Sequence, residues 1–175
     1  MQNQSSSITG FTLVELMITI AVIGVIAFLG VPSLTSLLEN NRVTTQTNQL
    51  VSSIHLARSE AVKRNGAVKL CPLGEGAICG QDWRKGWMVV AGSEVLQVVD
   101  VADQLMSISS APSQLVFDGE GMVKKSEAED AAAPSEKERR IIIQKASFRR
   151  SVALTLAGSV SSCRADKDGD CVDKK

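Results

Sequence analysis

The sequence predicts an α+β fold, in which a long amino-terminal α-helix packs on an antiparallel β-sheet or β-sandwich domain. Residues 11–31 form an apolar run, and a helical repeat of apolar residues follows it as far as residue 65. After Gly66 the apolar repeat shortens towards two, which is the period of a β-strand. Short strand-like segments then follow one another without helical patterns between them, and this succession favours an antiparallel sheet.

The apolar run predicts a membrane-spanning helix at residues 11–31. It reads FTLVELMITIAVIGVIAFLGV, and its only charged residue is Glu15. A helix of this length rises about 31 Å, which is enough to cross the hydrocarbon core of a bilayer. A cleaved secretory signal is the alternative, but the preceding MQNQSSSITG contains no lysine or arginine, and no small-residue cleavage site follows the run. We therefore expect a single membrane span.

Residues 32–65 predict an amphipathic continuation of the same helix. Its apolar face repeats at steps of three and four residues, and it consists of Thr47, Leu50, Ile54, Ala57 and Ala61. Lys63 and Arg64 precede Asn65-Gly66, a pair that is typical of a helix end. The single histidine, His55, lies beside the apolar face, and we expect it to have a structural role rather than to bind a ligand.

Residues 66–175 predict a β-rich globular domain. Turn residues such as Asp118-Gly119 separate its strand-like segments. The predicted strands are Ala67–Cys71, Trp87–Val90, Glu94–Val101, Gln114–Phe117, Ile141–Lys145 and Ser151–Leu156. Residues 124–138, KKSEAEDAAAPSEKE, are rich in charge and contain almost no large apolar side chain, so we expect an exposed loop there.

The composition argues against several functional classes. Nineteen basic residues balance nineteen acidic ones, so no net charge directs the chain to nucleic acid or to an anionic surface. Aromatic residues make up 3% of the chain, which disfavours a stacking platform, and Trp83 and Trp87 are expected in the core rather than in a ligand cage. Neither a dinucleotide fingerprint nor a G-x-S-x-G elbow occurs. We therefore expect no enzyme, no catalytic residue, no cofactor and no metal.

Glu15 needs a physical explanation, because it is a carboxylate within an apolar helix. At the centre of a spanning helix it would cost on the order of 3 kcal/mol, and less near an end. Either the side chain lies close enough to the interface to reach water, or it meets a positive charge that a partner subunit supplies.

The residues around Glu15 form a motif, in which Gly10 is followed by Phe11-Thr12-Leu13-Val14-Glu15 and the apolar run. The motif resembles the class III signal of type IV pilins and type II secretion pseudopilins. This resemblance implies that prepilin peptidase removes residues 1–10 and methylates Phe11. It also implies that Glu15 pairs with the terminal amine of a neighbouring pilin during assembly. The implied location is the lipid of the cell inner membrane, in a single pass with the carboxy-terminal domain in the periplasm, before incorporation into a pilus or pseudopilus.

A second resemblance covers the middle of the chain. Residues 57–61 (ARSEA), the strand that ends at Cys71, and the segment from Trp83 to Trp87 resemble the FimT/FimU minor pilins and the H-type pseudopilins (GspH). The resemblance implies a pilin-like fold and a structural subunit for initiation or tip assembly of a type IV pilus. The alternatives are an H-type pseudopilin of a type II protein secretion system and a DNA-binding minor pilin of natural DNA uptake.

The four cysteines predict two local disulfides. Cys71 and Cys79 are eight residues apart, and so are Cys163 and Cys171. Four cysteines allow three pairings, of which two local loops are the simplest. A domain outside the cytoplasmic membrane meets an oxidising compartment, in which such bonds persist. A zinc site would more typically have gaps of two to four residues between its ligands.

Two charged segments near the carboxyl terminus are candidate binding sites. Residues 166–170, DKDGD, place carboxylates at alternate positions as some calcium sites do, but the spacing is not that of an EF-hand and a solvated turn is favoured. Arg149, Arg150 and Arg164 belong to a late cluster of basic residues, and certain FimT-type pilins bind DNA through carboxy-terminal arginines. The tight Gly-Arg-x-Arg pattern of those proteins does not occur in this sequence, so ordinary solvated charge is favoured over DNA binding.

Overall fold

The computed structural model describes residues 10–101, 106–109, 112–124 and 133–172, without the side chains of residues 29–32 and 137. The chain divides into two compact units, Met1–Leu38 and Glu39–Lys175. One α-helix, α1 (Leu13–Arg64), contributes to both units. The predicted helix at residues 11–65 is therefore confirmed as one continuous element, with ends within two residues of those expected.

In the first unit, α1 is exposed along its described length. The large apolar side chains that the structure describes between Leu13 and Leu38 are 47% to 81% exposed. By length and composition, α1 is the one helix among the described residues that could cross a membrane. A soluble protein rarely leaves so long an apolar surface uncovered, and a bilayer or a filament core would cover it.

In the second unit, the amphipathic half of α1 packs on the β-rich domain. The predicted apolar face is confirmed, since all five of its residues are fully buried, and Val43 extends the same face by one turn towards the amino terminus. The polar member of this face, Thr47, donates its hydroxyl hydrogen to the Val43 carbonyl at 2.7 Å. A hydroxyl can therefore occupy the core without leaving a buried donor unpaired.

The helix ends where the sequence predicts. Asn65 adopts a positive φ of 48°, its amide donates to the Val62 carbonyl, and the Gly66 amide donates to the Ala61 carbonyl at 3.1 Å. These two bonds form a Schellman motif, which gives the last helical carbonyls their donors. Asparagine tolerates the left-handed conformation better than most residues do.

In the part of the chain that the structure describes, nine strands form two antiparallel sheets. The first sheet consists of β1 (Val68–Pro72), β2 (Gly86–Ala91), β3 (Glu94–Asp100), β5 (Leu115–Phe117) and β6 (Val123–Lys124). The second sheet consists of β4 (Ser107–Ser109), β7 (Arg140–Lys145), β8 (Phe148–Leu154) and β9 (Val160–Arg164). The strand order is β3-β2-β1-β5-β6 in the first sheet and β4-β7-β8-β9 in the second. Short 3-10 helices occupy Trp83–Lys85 and Lys137–Arg139.

One hydrophobic core joins α1 to both sheets. Leu50 and Ile54 of α1 meet Trp87 of the first sheet and Ile143 of the second within a single cluster of buried side chains. Trp83 belongs to the same cluster, so the predicted core role of both tryptophans is confirmed. The predicted α+β fold, a long helix on antiparallel sheets, is confirmed.

Some strand boundaries differ from the prediction. β4, β6 and β9 were not predicted, because β4 and β9 are mostly polar and β6 has only two residues. β8 covers Phe148–Leu154 rather than Ser151–Leu156. It begins earlier because the turn before it lies at Ala146-Ser147, where Ala146 has a φ of 50°, and it ends at a turn closed by the Gly158 amide on the Thr155 carbonyl.

The loop predicted at residues 124–138 lies partly outside the described residues. Lys124 belongs to β6 and residues 133–136 are in non-strand, non-helical structure, whereas residues 125–132 are not described. The loop prediction is too long at its carboxy-terminal end, since the 3-10 helix Lys137–Arg139 begins there and Pro134 is buried.

Candidate functional site

The amino-terminal motif lies at the exposed start of α1. The Thr12 hydroxyl accepts a hydrogen bond from the Glu15 amide at 3.2 Å, and the Thr12 carbonyl accepts one from the Leu16 amide at 3.2 Å. Thr12 is therefore the N-cap of the helix. Gly10 and Phe11 precede this cap and are exposed, so the predicted cleavage bond between them lies just before regular structure begins. Residues 1–9 of the predicted leader lie outside the described residues.

The Glu15 carboxylate is in the first turn of α1 and is exposed. It is the only charged residue in the sequence from Gly10 to Leu38. Within the described part of the chain it forms no ion pair. The helix macrodipole favours an anion at this end by about 0.3–1 kcal/mol, which is less than the cost of about 3 kcal/mol for a carboxylate deep in a bilayer.

The first disulfide, Cys71–Cys79, closes a compact loop after β1. The loop is held at its base, where the Gly80 amide donates to the Pro72 carbonyl at 2.9 Å. Gly74 is required at this approach, because a Cβ there would lie 2.1 Å from the Ile78 carbonyl oxygen. The loop covers Met88 and Val90 on the face of the sheet away from α1, and the side chain of Ile78 is 74% exposed.

The second disulfide, Cys163–Cys171, closes the carboxy-terminal loop over the second sheet. Within it, Asp166 Oδ1 accepts hydrogen bonds from the Asp168 amide at 3.0 Å and from the Asp170 amide at 2.8 Å. These bonds use the Asp166 oxygen to shape a turn, an arrangement typical of aspartate in loops. Among the described residues, no group of three potential metal-binding side chains converges.

Arg149 fixes the same loop to the sheet. Its guanidinium donates to the Asp166 carbonyl at 2.8 Å, to the Lys167 carbonyl at 2.5 Å, and to Gln144 Oε1 at 2.5 and 2.8 Å. All of these acceptors are neutral. The structure therefore gives Arg149 a positioning role in the domain.

Arg150 and Arg164 lie on the opposite face of the second sheet from Arg149. They are directly opposed partners in the β8–β9 ladder, and they share the face that carries Val152 and Val160 into the core. The three arginines predicted as one DNA-binding set are thus divided by the strand alternation. No finding on the described residues tests DNA binding itself, which stays a prediction.

A further ionic cluster was not predicted from the sequence. Arg140 donates to Asp170 at 2.7 Å and to Glu136 at 2.5 Å. The hydrogen bond that Arg140 donates to Asp170 is the main cause that raises the pKa of Arg140, and the bond to Glu136 adds to this effect, whereas burial opposes it. Only the fold could reveal this cluster, since 30 residues separate Arg140 from Asp170.

His55 is exposed on α1, one position from the buried Ile54. It shares a shallow groove with Leu56, Arg58, Val62 and other residues of the same helix.

The Thr12 cap was also not predicted, although the spacing Thr12-x-x-Glu15 is a known helix-start signature and could have indicated it.

Two family models match the sequence. The model described as Type II transport protein GspH matches residues 46–160, and the model described as Prokaryotic N-terminal methylation motif matches residues 6–31. The second match includes the whole motif from Gly10 to Glu15. None of the curated proteins compared with the chain matches it.

Two similar solved structures are crystal forms of the type IV minor pilin FimU of Pseudomonas aeruginosa (strain PAO1). The form in space group P21 is 21% identical, has a TM-score of 0.50, and the match covers 70% of this chain and 89% of that chain. The form in space group P65 is 23% identical with a TM-score of 0.49, over 68% of this chain and 90% of that chain. At this identity the likeness concerns the fold.

The GspH match covers more than half of the chain, the methylation motif precedes it, and the exposed apolar helix carries that motif. This chain belongs to the GspH family of minor pilins and pseudopilins, which are membrane-anchored structural subunits.

Proposed function

We propose that this chain is a minor subunit of a type IV pilus and acts in initiation or at the tip of the filament. Prepilin peptidase removes residues 1–10 and methylates the new terminal residue, Phe11. The subunit waits in the inner membrane, with residues 11–31 across the bilayer and residues 66–175 in the periplasm. In this proposal its work is assembly, without catalysis or a cofactor.

The observation that best supports this proposal is the position of Glu15. It is a single carboxylate in the first turn of a helix whose neighbouring side chains are apolar and exposed. The helix dipole offsets only part of the cost of holding this charge in lipid. A positive group from a neighbouring subunit would offset the rest, and the amine that cleavage creates at Phe11 has the required charge.

The mechanism that follows couples assembly to this charge. When the apolar helix moves from lipid into the filament core, lipid contacts are exchanged for contacts with neighbouring helices, and apolar burial alone leaves the axial position poorly defined. An ion pair in a low-dielectric core is strong only at short range and in good geometry. The Glu15 pair would therefore set the axial register between neighbouring subunits.

The second candidate is an H-type pseudopilin of a type II secretion machine. The description of the matching family, a type II transport protein, favours this candidate, whereas the fold of the minor pilin FimU favours the first. Both candidates need the same signal and helix. DNA binding is not included in the proposal, because Arg149 already bonds to carbonyl oxygens of its own chain.

The test is the substitution Glu15→Gln in the full-length chain, expressed in cells that make the filament. We expect the amount in the membrane fraction to be unchanged, since loss of the charge does not hinder insertion. We expect the amount in sheared filaments to fall about tenfold or more, the effect of losing one charge-assisted hydrogen bond in the core.

Glu39→Gln is the matched control, because it removes the next carboxylate along the same helix, beyond the apolar run. It should enter filaments as the unmodified chain does. Equal incorporation of the Glu15→Gln and Glu39→Gln chains would contradict the proposed role of Glu15.

A further inference from the structure

Arg150 and Arg164 bring two positive charges together at one end of the β8–β9 ladder. They are directly opposed cross-strand partners. Side chains of such partners share a face of the sheet, with Cβ atoms about 4.5–5.5 Å apart. Each side chain carries a positively charged guanidinium group. Like charges in this arrangement destabilise a sheet unless a counter-charge lies between them.

The two arginines line a small cavity of about 80 Å3 between the sheet and α1. The described residues that complete its lining are Asn40, Val43, Ser147, Phe148, Arg149 and Ala165. None of these is acidic. The cavity thus combines cationic and neutral hydrogen-bonding groups, with no carboxylate among its described lining to neutralise them.

The guanidinium groups of Arg150 and Arg164 are available to bind a ligand. Among the residues that the structure describes, neither guanidinium forms a hydrogen bond or an ion pair. Nearby arginines differ, since Arg140 bonds to two carboxylates and Arg149 to two carbonyls. Arg164 is exposed and Arg150 is half-buried, so solvent reaches the Arg164 side chain more freely.

We propose that Arg150 and Arg164, with Asn40 beside them, bind a phosphate group, and that an anionic lipid headgroup supplies it. Guanidinium groups bind phosphate with two parallel hydrogen bonds, and an amide adds a neutral donor. The cavity has room for several waters, and hence for a phosphate group in their place. A bound phosphate would place the missing negative charge between the two arginines.

The sequence points to lipid as the source of the phosphate. Asn40 follows Val31, the last residue of the apolar run, by nine residues. The chain is membrane-anchored through that run, so headgroup phosphates are present at high local concentration wherever the subunit waits before assembly. Inorganic phosphate has the same chemistry without this local enrichment.

The experiment uses the full-length chain in a neutral detergent and measures binding by calorimetry. The probes are short-chain phosphatidylglycerol, sodium phosphate, a short DNA duplex, and sodium chloride at matched ionic strength. Arg150→Gln/Arg164→Gln removes the site. Arg84→Gln/Lys85→Gln is the control, because it removes two exposed positive charges from a 3-10 helix elsewhere in the domain.

We expect the unmodified chain and the control to bind phosphatidylglycerol, and the Arg150→Gln/Arg164→Gln chain to bind it at least about tenfold more weakly. Without ligand, the Arg150→Gln/Arg164→Gln chain should melt at a slightly higher temperature than the unmodified chain, because the like-charge pair is gone. This rise also shows that the domain is folded in that variant.

Three outcomes would overturn parts of the proposal. Equal affinity of the Arg150→Gln/Arg164→Gln chain and the control for phosphatidylglycerol would remove the site. Binding of sodium phosphate without binding of phosphatidylglycerol would keep the phosphate site but exclude lipid as its source. Tighter binding of a DNA duplex than of phosphatidylglycerol, lost in the same variant, would replace the lipid by nucleic acid.

Discussion

The indole Nε1 of Trp87 donates a hydrogen bond to Ser53 Oγ at 2.9 Å, and this bond links the start of β2 to the buried face of α1. The Ser53 hydroxyl in turn lies 2.7 Å from Gln97 Oε1 on β3. Trp87 is fully buried, so its N–H depends on this acceptor. The register between the helix and the first sheet thus depends on a polar contact within an apolar core.

Ser53→Ala should therefore lower the free energy of unfolding by about 1–3 kcal/mol, because it leaves the Trp87 N–H buried without an acceptor. Urea unfolding of the full-length chain in detergent, followed by tryptophan fluorescence, measures this change. Ser52→Ala, at the exposed neighbouring position, should change the free energy of unfolding by less than about 0.5 kcal/mol. Equal effects of the two substitutions would show that the Trp87–Ser53 bond does not stabilise the fold.

The turn between β7 and β8 offers a stabilising substitution. Ala146 has a φ of 50°, and a residue that has a Cβ atom adopts this left-handed backbone conformation at a cost of about 1–2 kcal/mol. Ala146→Gly should raise the free energy of unfolding by about 0.5–1 kcal/mol, since the relief of strain exceeds the added chain entropy of glycine.

Ala157→Gly is the matched control for this turn, because Ala157 is exposed and does not have a positive φ. It should lower the free energy of unfolding slightly through chain entropy alone. If Ala146→Gly also lowers stability, the left-handed conformation at residue 146 is not strained.

The carboxy-terminal end of α1 should show a pH-dependent stabilisation. Glu60 accepts hydrogen bonds from Arg64 at 2.9 Å and from Lys63 at 3.1 Å. The bond from Arg64, followed by the bond from Lys63, holds the pKa of Glu60 below its ordinary value. Because the pKa of Glu60 is lower in the folded state than in the unfolded state, its ion pairs stabilise the fold at any pH above the ordinary pKa of glutamate. This stabilisation is lost as the pH falls through the pKa of Glu60 in the folded state.

The melting temperature of the chain should therefore exceed that of the Glu60→Gln variant at neutral pH, and the difference should vanish in strong acid. The difference should also shrink in high salt, because these side chains are partly solvent-exposed. A difference that stays constant from neutral to acidic pH would contradict an ionic role for Glu60.

The long helix could be predicted almost to the residue, because each of its features is local. The apolar run, the spacing of Leu50 and Ile54, and the Asn65-Gly66 end depend only on neighbours in the sequence. β9 could not be predicted in the same way. Its polar sequence becomes a strand only because it pairs with β8, and pairing is a tertiary effect.

The candidate sites show the same difference between local sequence features, which can be predicted, and tertiary features, which cannot. Gly10 and Glu15 belong to one contiguous motif and could be recognised from the sequence alone. The division of the arginine set could not be recognised in this way. Arg149 and Arg150 were placed in one set because they are adjacent in the sequence, although successive residues of a strand point to opposite faces. That alternation is itself a sequence rule, and it could have separated the two once β8 was known to begin at Phe148. The contribution of Asn40 required the fold.

The proposed role in initiation or at the tip of a type IV pilus is tested most directly by a count of surface pili on cells that lack the chain. Secretion of exoproteins is assayed in the same cultures, and expression of the full-length chain provides the complementation control. We expect that pili are lost, that secretion is normal, and that complementation restores the pili. Normal pili with secreted proteins trapped in the periplasm would contradict the proposed pilus role and would identify the chain as a secretion pseudopilin.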